Sequence, residues 1–493
     1  MRILAVIGVS GLLCSCAVGP EYSRPDIPTN ESFRSANDPT DLPSLANMPW
    51  WELYQDKALQ QLIRIALEEN KDLERAVATI EEFEARLFIA RTDYIPQMTG
   101  TGNFPFAREG GVRFAGFPSP FSYYLQGNLA WEIDVWGRIR RSNEAARGDL
   151  MAREENRRAI ILQLVGGVAQ AYFDLRQVDL QSEIAARTLQ AWDESVRISQ
   201  ARHRQGLIHG LDVEQFQAER ENAAARIADL KRQTIQKENE LNLLLGRNPG
   251  QIPRGQSLTD QVVPPVVPAG LPSELLQRRP DVIQAEQQLA AATARIGAAK
   301  ADRFPKLSLT GLLGIANPNL SKLFTAGGDF GVFGPTVTGP LLNAVSLGFQ
   351  QHAAEAQARQ AVAQYKQTIL TAFKEVEDAL AGVSTAREQA AAQERQVHAL
   401  KAALRRANLR YKGGLASYLD VLIAQRNLFD AELALATTQR LSLTSVVQLY
   451  KALGGGWSPV EQHQDRRTAT VEDTSSVIPI EQRGSSVPSR ARD

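Results

Sequence analysis

Apolar and polar side chains alternate along residues 121–136, whose sequence is FSYYLQGNLAWEIDVW. A period of two is typical of a β-strand with one apolar and one polar face. In a soluble sheet the apolar face would pack into a core, whereas in a transmembrane β-barrel it would face lipid and the polar face, with Gln126 and Asn128, would line a lumen. A barrel strand needs about 9 to 11 residues to cross the hydrocarbon, so the length of the run favours the membrane but leaves the soluble sheet open.

The same alternation recurs in three further segments. Residues 97–107 predict a second strand, and a Gly- and Pro-rich loop at residues 108–120 joins both into a β-hairpin over about 97–136. A second hairpin is predicted over about 306–342. Its last strand contains Pro335 and Pro340 and is the weakest of the four, because proline cannot donate a hydrogen bond to a sheet.

Outside the hairpins the hydrophobic period becomes helical. Helical spacing begins after Trp50 and Trp51, continues to about Arg91 and ends before Pro96. Residues 138–206 contain no proline and predict a helical stretch far longer than a globular helix. Two later helices carry apolar residues at heptad spacing, which predicts side-by-side coiled-coil packing. These residues are Phe216, Ala223, Leu230 and Leu244 in the first helix, and Leu422, Phe429, Leu433, Ala436, Leu443, Val447 and Tyr450 in the second.

The chain also repeats its own organisation. The motif RTDYIP at residues 91–96 is echoed by KADRFP at residues 300–305, and the LDV motif that begins at Leu211 is echoed at Leu419 with nearly the same offset. Two separated motifs at nearly one offset indicate an internal duplication. We therefore divide the chain into repeat 1 at residues 57–250, a proline-rich linker at 251–272, repeat 2 at 273–457 and a polar C-terminal tail at 458–493.

The N-terminus has the features of an exported lipoprotein. Arg2 and the apolar run that follows it have the charge and length of a secretory signal, predicted at residues 1–15. The sequence Leu-Cys-Ser-Cys ending at Cys16 resembles the bacterial lipoprotein box, in which the last cysteine carries a covalent diacylglycerol and an N-acyl chain. The alternative is an ordinary signal that happens to contain cysteines. Ala17 follows the pattern for sorting to the outer membrane, and residues 16–56, rich in proline, predict an extended lipidated tether.

Charge and composition exclude several classes of function. Lys plus Arg and Asp plus Glu number 55 each, which argues against a nucleic-acid partner. Beyond the leader no run approaches the ~18 consecutive apolar residues of a membrane-spanning helix. The five histidines show no paired ligand spacing, so no metal site and no cofactor are predicted beyond the lipid on Cys16. No nucleophile elbow or phosphate loop appears, and the chain is not predicted to be an enzyme.

Helix, hairpin and helix, occurring twice, resembles the outer-membrane efflux factors, the TolC-like family, and most closely the lipoprotein branch of RND-type tripartite systems. The resemblance implies an α+β membrane protein: a homotrimer with a 12-stranded transmembrane β-barrel, four strands per chain, continued by a long periplasmic α-helical coiled-coil barrel. It also implies a periplasmic adaptor, an inner-membrane RND-type pump and outer-membrane lipids as partners. The motifs that carry it are Cys16-Ala-Val-Gly-Pro-Glu-Tyr22, Pro49-Trp-Trp51, Trp131-Glu-Ile-Asp-Val-Trp-Gly-Arg138, Arg279-Pro-Asp-Val282, Tyr418-Leu-Asp-Val-Leu422 and Ala424-Gln-Arg426.

The resemblance also implies a gate at the periplasmic end. It places Asp420 at the family's first acidic position, with Leu419 and Ile423 as an apolar constriction beside it, and Asp212 at the matching position of repeat 1. Ile423 occupies the place where the family often has a second Asp, so two acidic rings are not expected here. For Asp420 the alternative is helix capping, since Ser417 and Asp420 have the spacing of a capping box. One carboxylate can serve both roles.

The predicted function is therefore a passive exit duct for drugs or other small molecules, located in the outer membrane and extending into the periplasm. Two alternatives stay within the same architecture: a duct for metal-ion efflux or one for type I protein secretion. A third belongs to another class, a lipid-anchored periplasmic coiled-coil scaffold whose hairpins are soluble.

Overall fold

The computed structural model describes residues 17–28, 32–34, 47–104, 123–261, 272–325 and 327–455, with the backbone alone at Glu274. Several predicted features fall outside the described residues. They are the signal peptide at 1–15, Cys16, much of the tether, the first hairpin loop with Phe121, the centre of the linker and the tail at 458–493.

Helices account for most of the described chain. The α-helices are α1 (Trp50–Leu53), α2 (Lys57–Glu69), α3 (Lys71–Thr92), α4 (Arg138–Arg204), α5 (Gly210–Leu244), α6 (Pro272–Arg278), α7 (Pro280–Ala301), α8 (Ala344–Lys412) and α9 (Tyr418–Ala452). Four strands complete the chain: β1 (Gln97–Asn103), β2 (Tyr123–Ile133), β3 (Lys306–Asn317) and β4 (Asp329–Thr338). Short 3-10 turns lie at Leu258–Asp260 and Leu320–Lys322.

The four strands form one antiparallel sheet in the order β1-β2-β3-β4. Gln126 pairs with Thr101 on one side and with Gly314 on the other, so polar side chains of neighbouring strands share a face. The strand predicted at residues 121–136 ends earlier, at Ile133, because the next residue leaves the sheet to cap a helix. The fourth strand ends at Thr338 rather than near residue 342, just before Gly339 and Pro340.

A glycine and an aspartate turn the chain from β2 into α4. Gly137 adopts a left-handed conformation with φ of 80°, which a residue without a Cβ accepts freely. The carboxylate of Asp134 accepts hydrogen bonds from the backbone N–H groups of Ile139 (3.0 Å) and Arg140 (2.9 Å), and so caps the first turn of α4. At the other junction Asn343 precedes α8 without a positive φ, and Pro340 helps to end the strand there.

Along their length the helices form two successive four-helix sections, and α4 and α8 run through both. Next to the sheet the neighbours are α3, α4, α7 and α8 in that order; farther away they are α5, α4, α9 and α8. At ~1.5 Å per residue, the 67 residues of α4 and the 69 of α8 extend about 100 Å. The short helix α3 stands end to end with α5, and α7 with α9, because Asn70 Nδ2 donates to the Leu244 carbonyl (2.8 Å) and Arg279 Nη1 to the Ala452 carbonyl (2.9 Å).

The predicted heptad positions form the seams between these helices. Phe216, Ala223 and Leu230 of α5 are buried, and Leu244 is partly buried. In α9 six of the seven predicted residues are buried and Leu433 packs at the edge of the same cluster. The coiled-coil prediction is therefore confirmed for the described helices.

A central hydrophobic core surrounds the middle of α4. It joins α1 and α2 to α4, α8 and the end of α9 through residues such as Leu59, Val168, Tyr172, Val376 and Tyr450. Asp56, at the start of α2, is buried in it with 1 % of its surface exposed. Through this core, α1 and α2 pack against α4 and the end of α9.

The N-terminal segment runs over the outside of α7. The N–H of Val18 donates to the Trp136 carbonyl (3.0 Å), and the Arg24 guanidinium pairs with Glu286 (2.8 Å). Gly19 lies on Gly297 of α7, where a Cβ on Gly19 would approach the Gly297 Cα to 2.5 Å. The described part of the predicted tether thus begins, at Ala17, beside the strand-to-helix junction.

None of the helices in the described ranges combines the length and the apolar character that crossing a membrane requires.

Candidate functional site

The polar face of the sheet carries both predicted lumen residues. Gln126 Nε2 donates to Asn128 Oδ1, and Asn128 Nδ2 donates to Thr101 Oγ1 of β1, each at 3.3 Å. Farther along the same face the hydroxyls of Thr310 and Thr336 are hydrogen-bonded at 2.7 Å. Polar side chains therefore form a track across all four strands.

This face is not polar throughout. Leu312 and Val332 pair with each other, and Leu312 also pairs with Asn128, so both share the face of the polar track. On the opposite face Met98, Leu313 and Phe333 are largely exposed. An exposed apolar face backed by a mostly polar one is the arrangement of a barrel strand with lipid outside and water inside.

The predicted gate residues lie at the far end of the long helices. Leu419 and Ile423 are 50 % and 42 % exposed, and Asp420 between them is exposed too. Tyr418, Val421 and Leu422 face the opposite way and are buried. The start of α9 therefore presents one acidic and two apolar residues on a free face.

The structure separates the two roles considered for Asp420. The Ser417 hydroxyl caps α9 by accepting from the N–H of Leu419 (3.0 Å), but within the described chain the Asp420 carboxylate has no hydrogen-bond or ion-pair partner. A capping box also needs a second bond, from the Ser417 N–H to the Asp420 carboxylate, and this bond is absent between these two described residues. The capping-box prediction is therefore wrong for Asp420. The corresponding bond occurs instead at Asp212, which accepts from the N–H of His209 (3.3 Å) at the start of α5. Exposed side chains such as Asp420 keep rotamer freedom that motif spacing does not determine.

The predicted residues form two groups. Leu419, Asp420 and Ile423 share one face, and Asp212 lies close enough to help raise the pKa of the neighbouring Tyr418. Gln126 and Asn128 belong to the sheet at the opposite end of α4. Within the described ranges no cluster of three His, Cys, Asp or Glu side chains is arranged to hold a metal ion.

Three residues lie in motifs quoted above, but the sequence did not reveal their structural roles: Asp134 at the strand-to-helix turn, Arg279 at the stacked helices and Tyr418 beside the gate. Asp134 could have been found, since an Asp shortly before a long helix is a capping signal. The contacts of the other two depend on residues far away in sequence. A sheet with one mostly polar face, open at both edges and continued by helices of this length, fits the subunit of a channel protein.

Comparison with known proteins gives the family. The family model described as outer membrane efflux protein matches residues 62–247 and 271–455, and the chain belongs to this family. It is 36 % identical over 480 residues to the probable efflux pump outer membrane protein TtgC of Pseudomonas putida, covering 95 % of this chain and 98 % of the relative. It is 34 % identical over 448 residues to the cation efflux system protein CusC of Escherichia coli, covering 90 % and 97 %.

Solved structures agree with this assignment. The open state of the MtrE outer membrane channel of Neisseria gonorrhoeae superimposes with a TM-score of 0.79 at 32 % identity, covering 90 % of this chain and 98 % of that one. A structure of CusC gives a TM-score of 0.80 at 33 % identity, covering 90 % and 100 %. The chain is thus an efflux channel protein of the outer membrane, and the members of the family named here are transport proteins.

Proposed function

We propose that this protein is the exit duct of a tripartite efflux system, in which an inner-membrane RND-type pump and a periplasmic adaptor deliver drugs or other small molecules to it. The observation that carries the proposal is the polar-faced sheet, open at both edges, that continues into four neighbouring helices. The protein supplies a path, and the pump supplies the energy.

Three copies complete the duct in this proposal. The free edges of the protomer are β1 with α3 on one side and β4 with α8 on the other, and both carry exposed apolar residues: Phe88, Ile89 and Met98 on the first, Leu342, Val345 and Phe349 on the second. Different edges that meet head to tail generate a ring. Eight strands enclose only side chains, so twelve strands from three copies form the smallest ring with a lumen.

The two halves of the protomer support the proposed internal repeats. Helices α3 and α7 have 22 residues each, and α5 and α9 have 35 each. The family model also matches the chain twice. Each half contributes one hairpin to the barrel and one long helical pair to the tube.

We propose that Cys16 carries the lipid and anchors the chain at the level where the strands end. Ala17 is in contact with Gly137 at the strand-to-helix junction, where a Cβ on Gly137 would approach the Ala17 Cβ to 2.9 Å. Cys16 directly precedes Ala17 in the sequence, and we therefore propose this junction as the point of attachment. A lipid there would enter the periplasmic leaflet beside the barrel.

Cys16→Ser is expected to abolish incorporation of labelled palmitate into the full-length protein, because an oxygen cannot form the thioether. Cys14→Ser is the matched control and keeps the label, since residue 14 belongs to the segment that is removed. Label that persists in Cys16→Ser, or that disappears in Cys14→Ser, would contradict this assignment.

For the gate, we propose that Asp420 of three copies forms an acidic ring, with Leu419 and Ile423 as an apolar constriction beside it. Asp420→Ala is expected to raise single-channel conductance in planar bilayers and to weaken block by divalent cations about ten-fold, since three carboxylates attract a cation jointly. Asp430→Ala, an exposed acid farther along α9, is the control and should leave both quantities unchanged. Equal divalent block in Asp420→Ala and the wild type would overturn the ring.

Deletion of the gene in its host tests the function. The strain should become sensitive to organic solvents and antibiotics and regain resistance with the wild-type copy, and the adaptor should co-purify with the tagged protein. Relatives are named for toluene and antibiotic efflux and for cation efflux, so salts of metal cations belong in the panel. Sensitivity to the metal salts alone would favour the cation alternative, and loss of one secreted protein would favour secretion.

A further inference from the structure

Four aromatic side chains meet beside the gate, one from each long helix. Tyr418 of α9 packs against Phe216 of α5 with tilted rings, whose centroids are 3.5 Å apart and whose planes are 33° apart. Phe216 in turn contacts Trp192 of α4 edge to face at 6.3 Å, and Tyr411 of α8 contacts Tyr418 at 5.4 Å. We name these four residues the tip aromatic cluster. It connects the helical pair of repeat 1 with the pair of repeat 2.

Tyr418 lies at the centre of this cluster, and its hydroxyl is left without a hydrogen bond in the described chain. The residue is buried, yet its hydroxyl has no hydrogen-bond partner among the described residues. Burial, followed by the nearness of Tyr411, Glu219 and Asp212, raises the pKa of Tyr418 far above its ordinary value, so the hydroxyl stays neutral. A buried hydroxyl without a partner has lost its bonds to water without replacement, and this destabilises the arrangement that buries it.

The position of Tyr418 connects it directly to the gate. It is the first residue of α9 and immediately precedes Leu419 and Asp420, whose side chains lie on the opposite, exposed face of the same turn. The start of α9 moves as a unit, so a displacement that carries Leu419 and Asp420 away from α5 also separates the Tyr418 ring from Phe216. Such a displacement would break the ring contact and return the hydroxyl to water.

We propose that Tyr418 is the latch of the gate: its ring packs against Phe216 and holds the described arrangement, and its hydroxyl, which lacks a partner among the described residues, destabilises that arrangement so that the gate opens readily. The proposal deepens the gate proposed above and rests on it. Phenylalanine at this position would keep the aromatic contacts and remove only the destabilising hydroxyl. Substitution can therefore separate the effect of the ring from the effect of the hydroxyl.

The test uses single-channel recordings of the full-length protein in planar bilayers. Tyr418→Phe is expected to lower the frequency of openings about ten-fold, because a factor of ten corresponds to 1.4 kcal/mol, which lies within the cost of one unsatisfied buried hydroxyl. Tyr418→Ala, which loses the ring, is expected to raise the frequency by about ten-fold or more. The same residue thus shifts gating in opposite directions.

Tyr450→Phe is the matched control. It removes the same atom from the far end of α9, where the hydroxyl is satisfied by donating to the Met48 carbonyl at 3.0 Å. This change can lower stability but should leave opening frequency unchanged. Circular dichroism and the oligomeric state in detergent show whether each variant is folded, and Tyr418→Phe conserves volume, so the test remains decisive even where Tyr418→Ala does not fold.

The outcomes distinguish the latch from the gate itself. Openings as frequent in Tyr418→Phe as in the wild type, or more frequent, would overturn the latch. If Asp420→Ala changes divalent block while both Tyr418 variants gate like the wild type, the acidic ring stands and the latch is wrong. If the Tyr418 variants shift gating and Asp420→Ala does not change block, the latch stands and the acidic ring is wrong.

Discussion

Asp56→Ala is expected to release the segment after α5 from the central core and to speed amide exchange of Gly255 and Gln256 about 100-fold, since ~3 kcal/mol of local stability corresponds to that factor. Asp56 Oδ2 accepts from the Tyr172 hydroxyl (2.7 Å), the N–H of Gln256 (2.9 Å) and Gln261 Nε2 (2.8 Å). Tyr172 in turn accepts from the N–H of Gly255 (2.9 Å). Removing the carboxylate leaves the buried Tyr172 hydroxyl and two partly buried donors, the Gln256 N–H and Gln261 Nε2, without this acceptor.

The second carboxylate oxygen makes a simple replacement by asparagine inadequate. Asp56 Oδ1 accepts from the N–H of Ala58 (2.8 Å) and caps α2. In Asp56→Asn the remaining oxygen can keep the bond to Ala58. The new NH2 group then faces the three donors that bind Oδ2 in the wild type, and a donor cannot accept their hydrogen bonds. Asp56→Asn should therefore lose most of the protection that Asp56→Ala loses. Asp72→Asn, at an exposed acid in the first turn of α3, is the control and should exchange like the wild type.

The pH dependence of this site follows from the same contacts. Burial alone raises the pKa of Asp56, but the hydrogen bonds from Tyr172, Gln261, Ala58 and Gln256 outweigh it and hold the pKa below its ordinary value. A carboxyl whose pKa is lowered on folding contributes stability above its unfolded pKa of about 3.9 and loses it as the pH falls through the folded value. The wild type should therefore lose an acid-sensitive increment of stability that Asp56→Ala lacks. Equal acid sensitivity of the two proteins, or unchanged exchange at Gly255, would show that the carboxylate does not hold this segment.

The hydrophobic periodicity of the sequence predicted the strands and helices, because this pattern involves only residues that are near one another in the chain. Alternation located all four strands, and heptads located the seam residues Phe216 and Phe429, since both patterns record which side of an element is buried. Strand ends were less accurate. The alternation of residues 121–136 continues through Asp134 and Val135, but Asp134 turns away to cap α4, and a helix cap leaves the alternating pattern unchanged.

The buried polar contacts of Asp56 and Arg279 could not be predicted, because the residues that they bind are distant in the chain. Asp56 and Tyr172 are 116 positions apart, and Arg279 and Ala452 are 173 apart. No local pattern specifies such a pair. The sequence does show that Arg279 and Asp281 flank a helix start at Pro280, but the third partner of the guanidinium comes from α8, and this contact is determined by how the helices stack. For the gate, the sequence located the turn and its acid but not the direction of the Asp420 side chain.

The stacking of α7 on α9 leads to the second large effect. Arg279→Ala is expected to loosen the end of α9, because Arg279 is only 6 % exposed and its guanidinium satisfies three partners. It pairs with Asp281 through Nε (3.0 Å) and Nη2 (2.6 Å), with Glu375 through Nη2 (2.7 Å), and donates from Nη1 to the Ala452 carbonyl. Breaking a buried ion pair costs about 3–5 kcal/mol, but Asp281 and Glu375 remain partly exposed and can be solvated, so we expect ~2–3 kcal/mol.

Repeat 1 provides the matched control for this change. There the neutral Asn70 bridges the same kind of junction: its Nδ2 donates to the Leu244 carbonyl, and its Oδ1 accepts from the N–H of Asp72 (2.9 Å). Asn70→Ala should cost only the ~1 kcal/mol of a lost helix cap. Arg279→Lys keeps the charge but cannot span three partners as the planar guanidinium does, so it should fall between Arg279→Ala and the wild type.

Hydrogen exchange at the last turns of α5 and α9 measures both junctions in one sample. Arg279→Ala should raise exchange about 30-fold or more at the end of α9 and leave the end of α5 unchanged, since 2 kcal/mol corresponds to that factor. Asn70→Ala should act on α5 alone, by about five-fold. Equal effects of the two substitutions, or protection at Leu449 and Tyr450 that survives Arg279→Ala, would show that helix packing rather than the guanidinium holds α7 on α9.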